Sequence, residues 1–123
     1  MEDNKTIVRN VLKGSFIDRD PSVVAKYFAP DYIQHNPTIA TGAKPIPGLI
    51  SGLPDTFRYE PGMAEGDLVM VHGRYTGWAP KPVIAVDIFR VVNAPVVEHW
   101  DVIQEEVPAN QTASGNPMFS SQE

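Results

Sequence analysis

The sequence predicts a single α+β domain, and three observations carry that expectation. Apolar residues recur at helical spacing through the first third of the chain, they alternate every second residue after Pro54, and a length of 123 residues suits one domain. A domain of that size buries roughly two thirds of the surface its unfolded chain exposes, so a core is available. Helices first and strands afterwards place the helices on one face of an antiparallel sheet. Residues 1–107 should form the folded unit, while 108–123, rich in Ser, Asn and Gln, should be irregular.

From Asn4 to Ile17, Ile7, Val8, Val11, Leu12 and Phe16 form one apolar stripe opposite Lys5, Arg9, Asn10 and Lys13, which predicts a first helix. Asp20-Pro21 starts a second, an acceptor side chain ahead of a residue whose fixed φ suits the first helical turn, and Pro30 ends it. Asp31 to His35 reads as a short strand closed by Asn36-Pro37. Thr41 to Leu53 carries Ile46, Leu49, Ile50 and Leu53 at helical spacing despite two prolines. Strands then follow at about Phe57–Ala64, Asp67–Thr76, Pro82–Val92 and Val96–Glu105, punctuated by Glu65-Gly66, Trp78-Ala79-Pro80 and Asn93-Ala94-Pro95. Their short connections imply an antiparallel meander.

Composition removes several function classes. With 42% hydrophobic and 20% charged residues, neither disorder nor a fibrous chain is indicated. Cysteine is absent, which removes disulfides, thiol nucleophiles and thiolate metal sites. The net charge is −5, and the ten Lys and Arg residues are scattered singly, so nucleic acid is not an expected partner. MEDNKTIVRN lacks the pattern of a secretory signal and no run is long enough to span a membrane, so a soluble cytoplasmic protein is expected.

Polar residues inside apolar strands carry the chemistry. Val83 to Gln104 reads VIAVDIFRVVNAPVVEHWDVIQ and sets Asp87, His99 and Asp101 among residues built for burial. A carboxylate there is costly unless it is paired, hydrogen-bonded or protonated. Alternation places Leu68, Met70, His72, Arg74 and Thr76 on one side of their strand; Ala85, Asp87, Phe89 and Val91 together; and Val97, His99, Asp101 and Ile103 together, opposite Glu98, Trp100, Val102 and Gln104. A concave sheet could therefore gather His35, His72, Asp87 and Asp101 in one cavity, provided no bulge reverses a strand. Tyr32, Trp78, Phe89, His99, Trp100 and Gln104 are the candidate ligand contacts. Asp87 could instead be an ion-pair partner of Arg74 or Arg90, and both tryptophans could be packing residues. Three histidines and two aspartates suffice for a metal site of two His and one carboxylate, but no HExxH spacing supports one and no metal is expected; no GxSxG supports Ser/His/Asp hydrolysis, and no phosphate loop is present.

YIQHNP (Tyr32 to Pro37), VMVHGRYTGW (Val69 to Trp78), VDIFRV (Val86 to Val91), EHWDVIQ (Glu98 to Gln104) and SGNPMF (Ser114 to Phe119) resemble segments of SnoaL-like proteins, within the nuclear transport factor 2-like superfamily. The resemblance covers nearly the whole chain. It implies a conical α+β barrel, a curved sheet wrapped around helices, with a deep apolar pocket and dimerisation through the open sheet face. In the family's polyketide cyclases an aspartate on the last strand is the acid/base for an aldol ring closure without a cofactor, and the matching position is Asp101. Removing a proton α to a carbonyl also needs a donor for the enolate oxygen, for which His72, His35 or a neutral Asp87 are candidates. The chain departs from those cyclases in its small size, short loops and the histidine of YIQHNP. Three expectations remain open: an acid/base cyclase or isomerase acting on a small apolar carbonyl compound, a non-catalytic binder of a small hydrophobic molecule, and a dimeric interaction module with a filled pocket.

Overall fold

The computed structural model describes residues 3–51, 56–59, 62–77 and 79–120. Helix α1 spans Asn4–Leu12 and is capped by Asp3, whose carboxylate accepts the Thr6 amide at 2.8 Å. The predicted first helix does not continue regularly to Ile17. Lys13–Ile17 is a π-helical turn closed by the Asp18 amide on the Lys13 carbonyl at 2.9 Å. Helix α2 is Ser22–Tyr27, with Asp20 accepting the Ser22 amide as the Asp-Pro signal predicts. Gly14 lets the two helical segments meet, since a Cβ there would lie 2.2 Å from Val23 Cγ1.

Strand β1 is Phe28–Gln34 and begins earlier than its sequence suggested. Pro30 is accommodated because β1 is an edge strand, where a missing N–H leaves no ladder bond broken. The loop after β1 covers that edge, with Gly42 and Ala43 donating to the carbonyls of Tyr32 and Pro30. Gly42 adopts φ +89°, a left-handed conformation that favours glycine. Helix α3 is described over Ile46–Ser51 and begins later than expected, because Pro45 and Pro47 restrict the backbone of the residues before them; Leu53 lies outside the described residues.

The remaining strands are β2 (Thr56–Tyr59), β3 (Met63–Glu65), β4 (Leu68–Thr76), β5 (Val83–Val91) and β6 (Val96–Glu105). What read as one strand near Phe57–Ala64 is thus two, both paired antiparallel with β4. The sheet order is β1-β6-β5-β4-β2. β4, β5 and β6 form the expected meander, but β1 runs parallel to β6, so the curved sheet is mixed and not antiparallel throughout. That pairing joins the first third of the chain to the last.

Ile7, Val8, Val11 and Leu12 of α1 pack on Val69, Val71, Phe89, Val91 and Val96 of the sheet. A bulge between Arg90 and Val91 puts the fully buried Val96 on the same side as His99, leaving Val97 as the extra residue. The tail is mostly irregular as expected, with one 3₁₀ turn at Ala109–Gln111 and a buried Phe119 whose ring lies 5.2 Å from that of His72. Among the described residues, no helix is long and apolar enough to cross a membrane.

Candidate active site

Between the helices and the concave face of the sheet lies a cavity of about 110 Å³. Its walls are largely apolar, with Val11, Leu12 and Phe16 on the helical side, Ile39, Ile46 and Leu49 from the segment through α3, and Val83, Ala85, Phe89 and Ile103 from the sheet. Against these stand Ser15, Tyr32, Gln34, Tyr75, Asp87, His99 and Asp101. Each strand delivers alternate side chains, so β1 contributes Tyr32 and Gln34, β5 contributes Asp87, and β6 contributes His99 and Asp101.

Five of these groups form a continuous chain of hydrogen bonds. Tyr75 donates its hydroxyl to Asp87 Oδ2, and Asp87 Oδ1 faces His99 Nε2 at 2.9 Å. His99 Nδ1 lies 2.7 Å from Gln34 Oε1. Because the Asn36 amide also donates to that oxygen, the Gln34 carboxamide is oriented, and His99 Nδ1 must be the donor. One proton therefore lies between His99 Nε2 and Asp87 Oδ1, and both ring nitrogens are committed. Gln34 Nε2 then donates to the Tyr32 hydroxyl at 2.7 Å. Among the described residues nothing accepts the proton of Tyr32. Burial pushes the Tyr32 phenol up to about 12, against the opposing pull of the Gln34 bond. Tyr75 is also held well above the usual phenol range, chiefly by burial and then by the Asp87 charge it faces. Both tyrosines thus keep their protons at neutral pH.

Asp101 sits beside this chain, its backbone paired with that of Asp87 across the β5–β6 ladder. Asn36 Nδ2 donates to Asp101 Oδ2 at 2.7 Å, while Asn36 Oδ1 accepts from the amide and hydroxyl of Thr38, both at 2.8 Å. The asparagine is thereby fixed from one end and holds the carboxylate from the other. Asp101 Oδ1 has no donor among the described residues. Asp87, His99 and Asp101 could each offer a ligand atom to a metal, all within 4.8 Å of one another. To do so, Asp87 and His99 would have to surrender the bonds that now occupy them.

The expected four-residue constellation is corrected by this geometry. Asp87 and Asp101 line the cavity, with Tyr32, Phe89 and His99, but His35 and His72 do not. His35 is on the outer side, bound to Glu98 at 2.7 Å and stacked on Trp100 with ring centroids 5.0 Å apart. His72 is displaced for the reason alternation dictates: Val71, Gly73 and Tyr75 take the inner face of β4. Trp100 shares the outer face with Glu98 and lies under Arg90, and Gln104 is exposed on the same strand. Trp78 lies outside the described residues. Asp87 is not the ion-pair partner of Arg74, which binds Glu106, nor of Arg90, which binds Asp67 and Glu98. Ser15, Gln34, Asn36 and Tyr75 are the site residues that sequence reasoning missed.

The fold has parallels among solved structures. A protein of unknown function from Burkholderia xenovorans LB400, described as nuclear transport factor 2-like, superposes with a TM-score of 0.70 at 18% identity over 83% of each chain. The chain has the nuclear transport factor 2-like fold. A provisionally assigned ketosteroid isomerase from Kribbella flavida DSM 17836 shares that fold at a TM-score of 0.70 and 18% identity, over 83% of this chain and 78% of the other. A provisionally assigned polyketide cyclase from Acidithiobacillus ferrooxidans does so at 0.64 and 14%, over 85% and 90%. No protein-family model and no curated protein matches the sequence. The nuclear transport factor 2-like likeness is therefore one of backbone, and it fixes architecture without fixing a reaction.

Proposed function

We propose that the protein is a small-molecule enzyme of the cyclase or isomerase kind, which moves a proton at the carbon next to a carbonyl. The observation that carries this reading is Asp101: one oxygen is pinned by Asn36, and the other has no described partner at the wall of an apolar cavity. Asp101 Oδ1 removes the α-proton, and the electron pair of that C–H bond passes to the carbonyl oxygen as an enolate. Tyr32 supplies the donor, since its hydroxyl is held by Gln34 and its own proton is uncommitted. Asp101 then returns the proton, to another carbon in an isomerisation or to the alkoxide formed when the enolate carbon attacks a second carbonyl in an aldol closure. His99 and Asp87 act behind Tyr32, by fixing Gln34. The isomerase and cyclase assignments of structural neighbours agree with chemistry of this class.

Proton–deuterium exchange at the α-carbon of small cyclic ketones in D₂O, followed by NMR, tests this directly. The wild-type protein should catalyse exchange. Asp101→Asn should slow it by about 10²–10⁴-fold, the usual worth of a general base, with ketone binding retained; Tyr32→Phe should cost about 10²-fold or more. Exchange that persists in Asp101→Asn overturns the assignment, and ketone binding with no exchange by the wild type would make the protein a carrier. A homodimer formed through the outer sheet face belongs to the same proposal. Its support is the exposed apolar set Ile33, Met70 and Val102, with Trp100 between.

A further inference from the structure

Ser15 is 5% exposed and lines the cavity, yet among the described residues its hydroxyl has no hydrogen-bond partner. A serine in a helical segment commonly bonds back to a carbonyl one turn earlier, and Ser15 does not. Among the described residues no fully buried side-chain N or O atom lacks a partner, so the unpaired Ser15 hydroxyl is open to the cavity, where a ligand atom can complete it. Its position comes from the π turn, whose extra residue leaves both Gly14 and Ser15 buried. The surroundings sharpen the point, because Val11, Leu12 and Phe16 beside it on the same segment offer no competing polar atom from their side chains.

The cavity volume limits what Ser15 can meet. An apolar cavity of roughly 150 Å³ accepts benzene, and about 110 Å³ is of that order. We propose that Ser15 is a specificity-determining residue, hydrogen-bonding a second oxygen of a compact, single-ring-sized carbonyl compound. The inference rests on the carbonyl reading above and deepens it: the ligand carries one oxygen handled by Asp101 and Tyr32 and another read by Ser15. A site built to bond an oxygen discriminates against the analogue that lacks it.

The test compares cyclohexanone with 2-, 3- and 4-hydroxycyclohexanone, their affinities measured by NMR titration. For the wild type, at least one hydroxyketone should bind about tenfold more tightly than cyclohexanone. Ser15→Ala should bring that preference, taken as the ratio of the two affinities in the same protein, to within about twofold, with the melting temperature unchanged or raised. Ser15→Cys, which keeps the side chain's volume and weakens the donor, should lose most of the preference and provides the measurement should the alanine variant fold poorly. A preference that survives in both variants, or no hydroxyketone preferred by the wild type, overturns the proposal. Binding preference and α-proton exchange are separate readouts. Loss of preference in the Ser15 variants with no exchange in any protein would sink acid/base catalysis and leave the Ser15 contact standing.

Discussion

Tyr75, Asp87 and His99 illustrate how burial and chemistry are reconciled one residue at a time. Asp87 is 6% exposed, and a carboxyl group so placed survives because each oxygen has a hydrogen-bond partner. Tyr75→Phe keeps the ring against Phe16 and removes only the hydroxyl. It should destabilise the fold by about 1–3 kcal/mol, the cost of a buried acceptor that loses its partner, measured by urea denaturation with an unchanged slope. Asp87 and Asp101 were conspicuous in the sequence because charge within an apolar run is unusual. The groups that orient them were not. In the triplet Gln34-His35-Asn36 the histidine attracts notice, yet alternation sends it outward and its neighbours inward. The half-exposed Ile33 hides that parity, because an apolar residue on the outer face of an edge strand mimics an inward one.

Among the elements, the π turn and the β5–β6 hairpin depart most from ideal geometry. Gly14 is required by close approach, so Gly14→Ala should force α2 away from the turn and cost about 1–3 kcal/mol as overpacking, visible as a lowered melting temperature. In the hairpin, Asn93 and Ala94 both have positive φ, at 53° and 84°. Pro95 has no N–H, so the turn keeps only the Val92 amide bonded to the Pro95 carbonyl at 3.1 Å. Ala94→Gly removes the Cβ strain and adds some chain entropy, for a net stabilisation of about 1 kcal/mol in the same denaturation experiment. The hairpin's position was legible from Asn93-Ala94-Pro95. The parallel pairing of β1 with β6 was not, because it joins residues far apart in the chain, such as Phe28 with Val96, and leaves no local pattern.

For the whole molecule, ionisation should bound stability at both ends of the pH scale. Bonds from His35 to Glu98 and from Arg74 to Glu106 hold those carboxyls below their ordinary 4.5, so this stability is present above that value and is lost as pH falls beneath it. Tyr32 is raised from 10.0 to about 12, so its contribution is intact below pH 10 and is lost as pH climbs toward 12. Melting temperature against pH should show a plateau between, and Tyr32→Phe should reduce the alkaline limb, leaving the part that belongs to Tyr75. The outer face makes a separate prediction: Val102 is 66% exposed, and Val102→Asp should shift a dimer toward monomer in sedimentation without lowering α-proton exchange per chain if each site is complete in itself.

Pairing the chain's early strand with its last one also has a kinetic consequence. The β4–β6 meander is built from neighbouring segments and can form soon after those segments meet, bringing Asp87, His99 and Asp101 with it. Tyr32, Gln34 and Asn36 reach them only when β1 docks, across a separation of 65 residues in the Asn36–Asp101 contact. During synthesis β1 must wait for β6 to emerge. Asp101 is therefore in place before Asn36, which restrains it, and the site becomes organised at the close of folding.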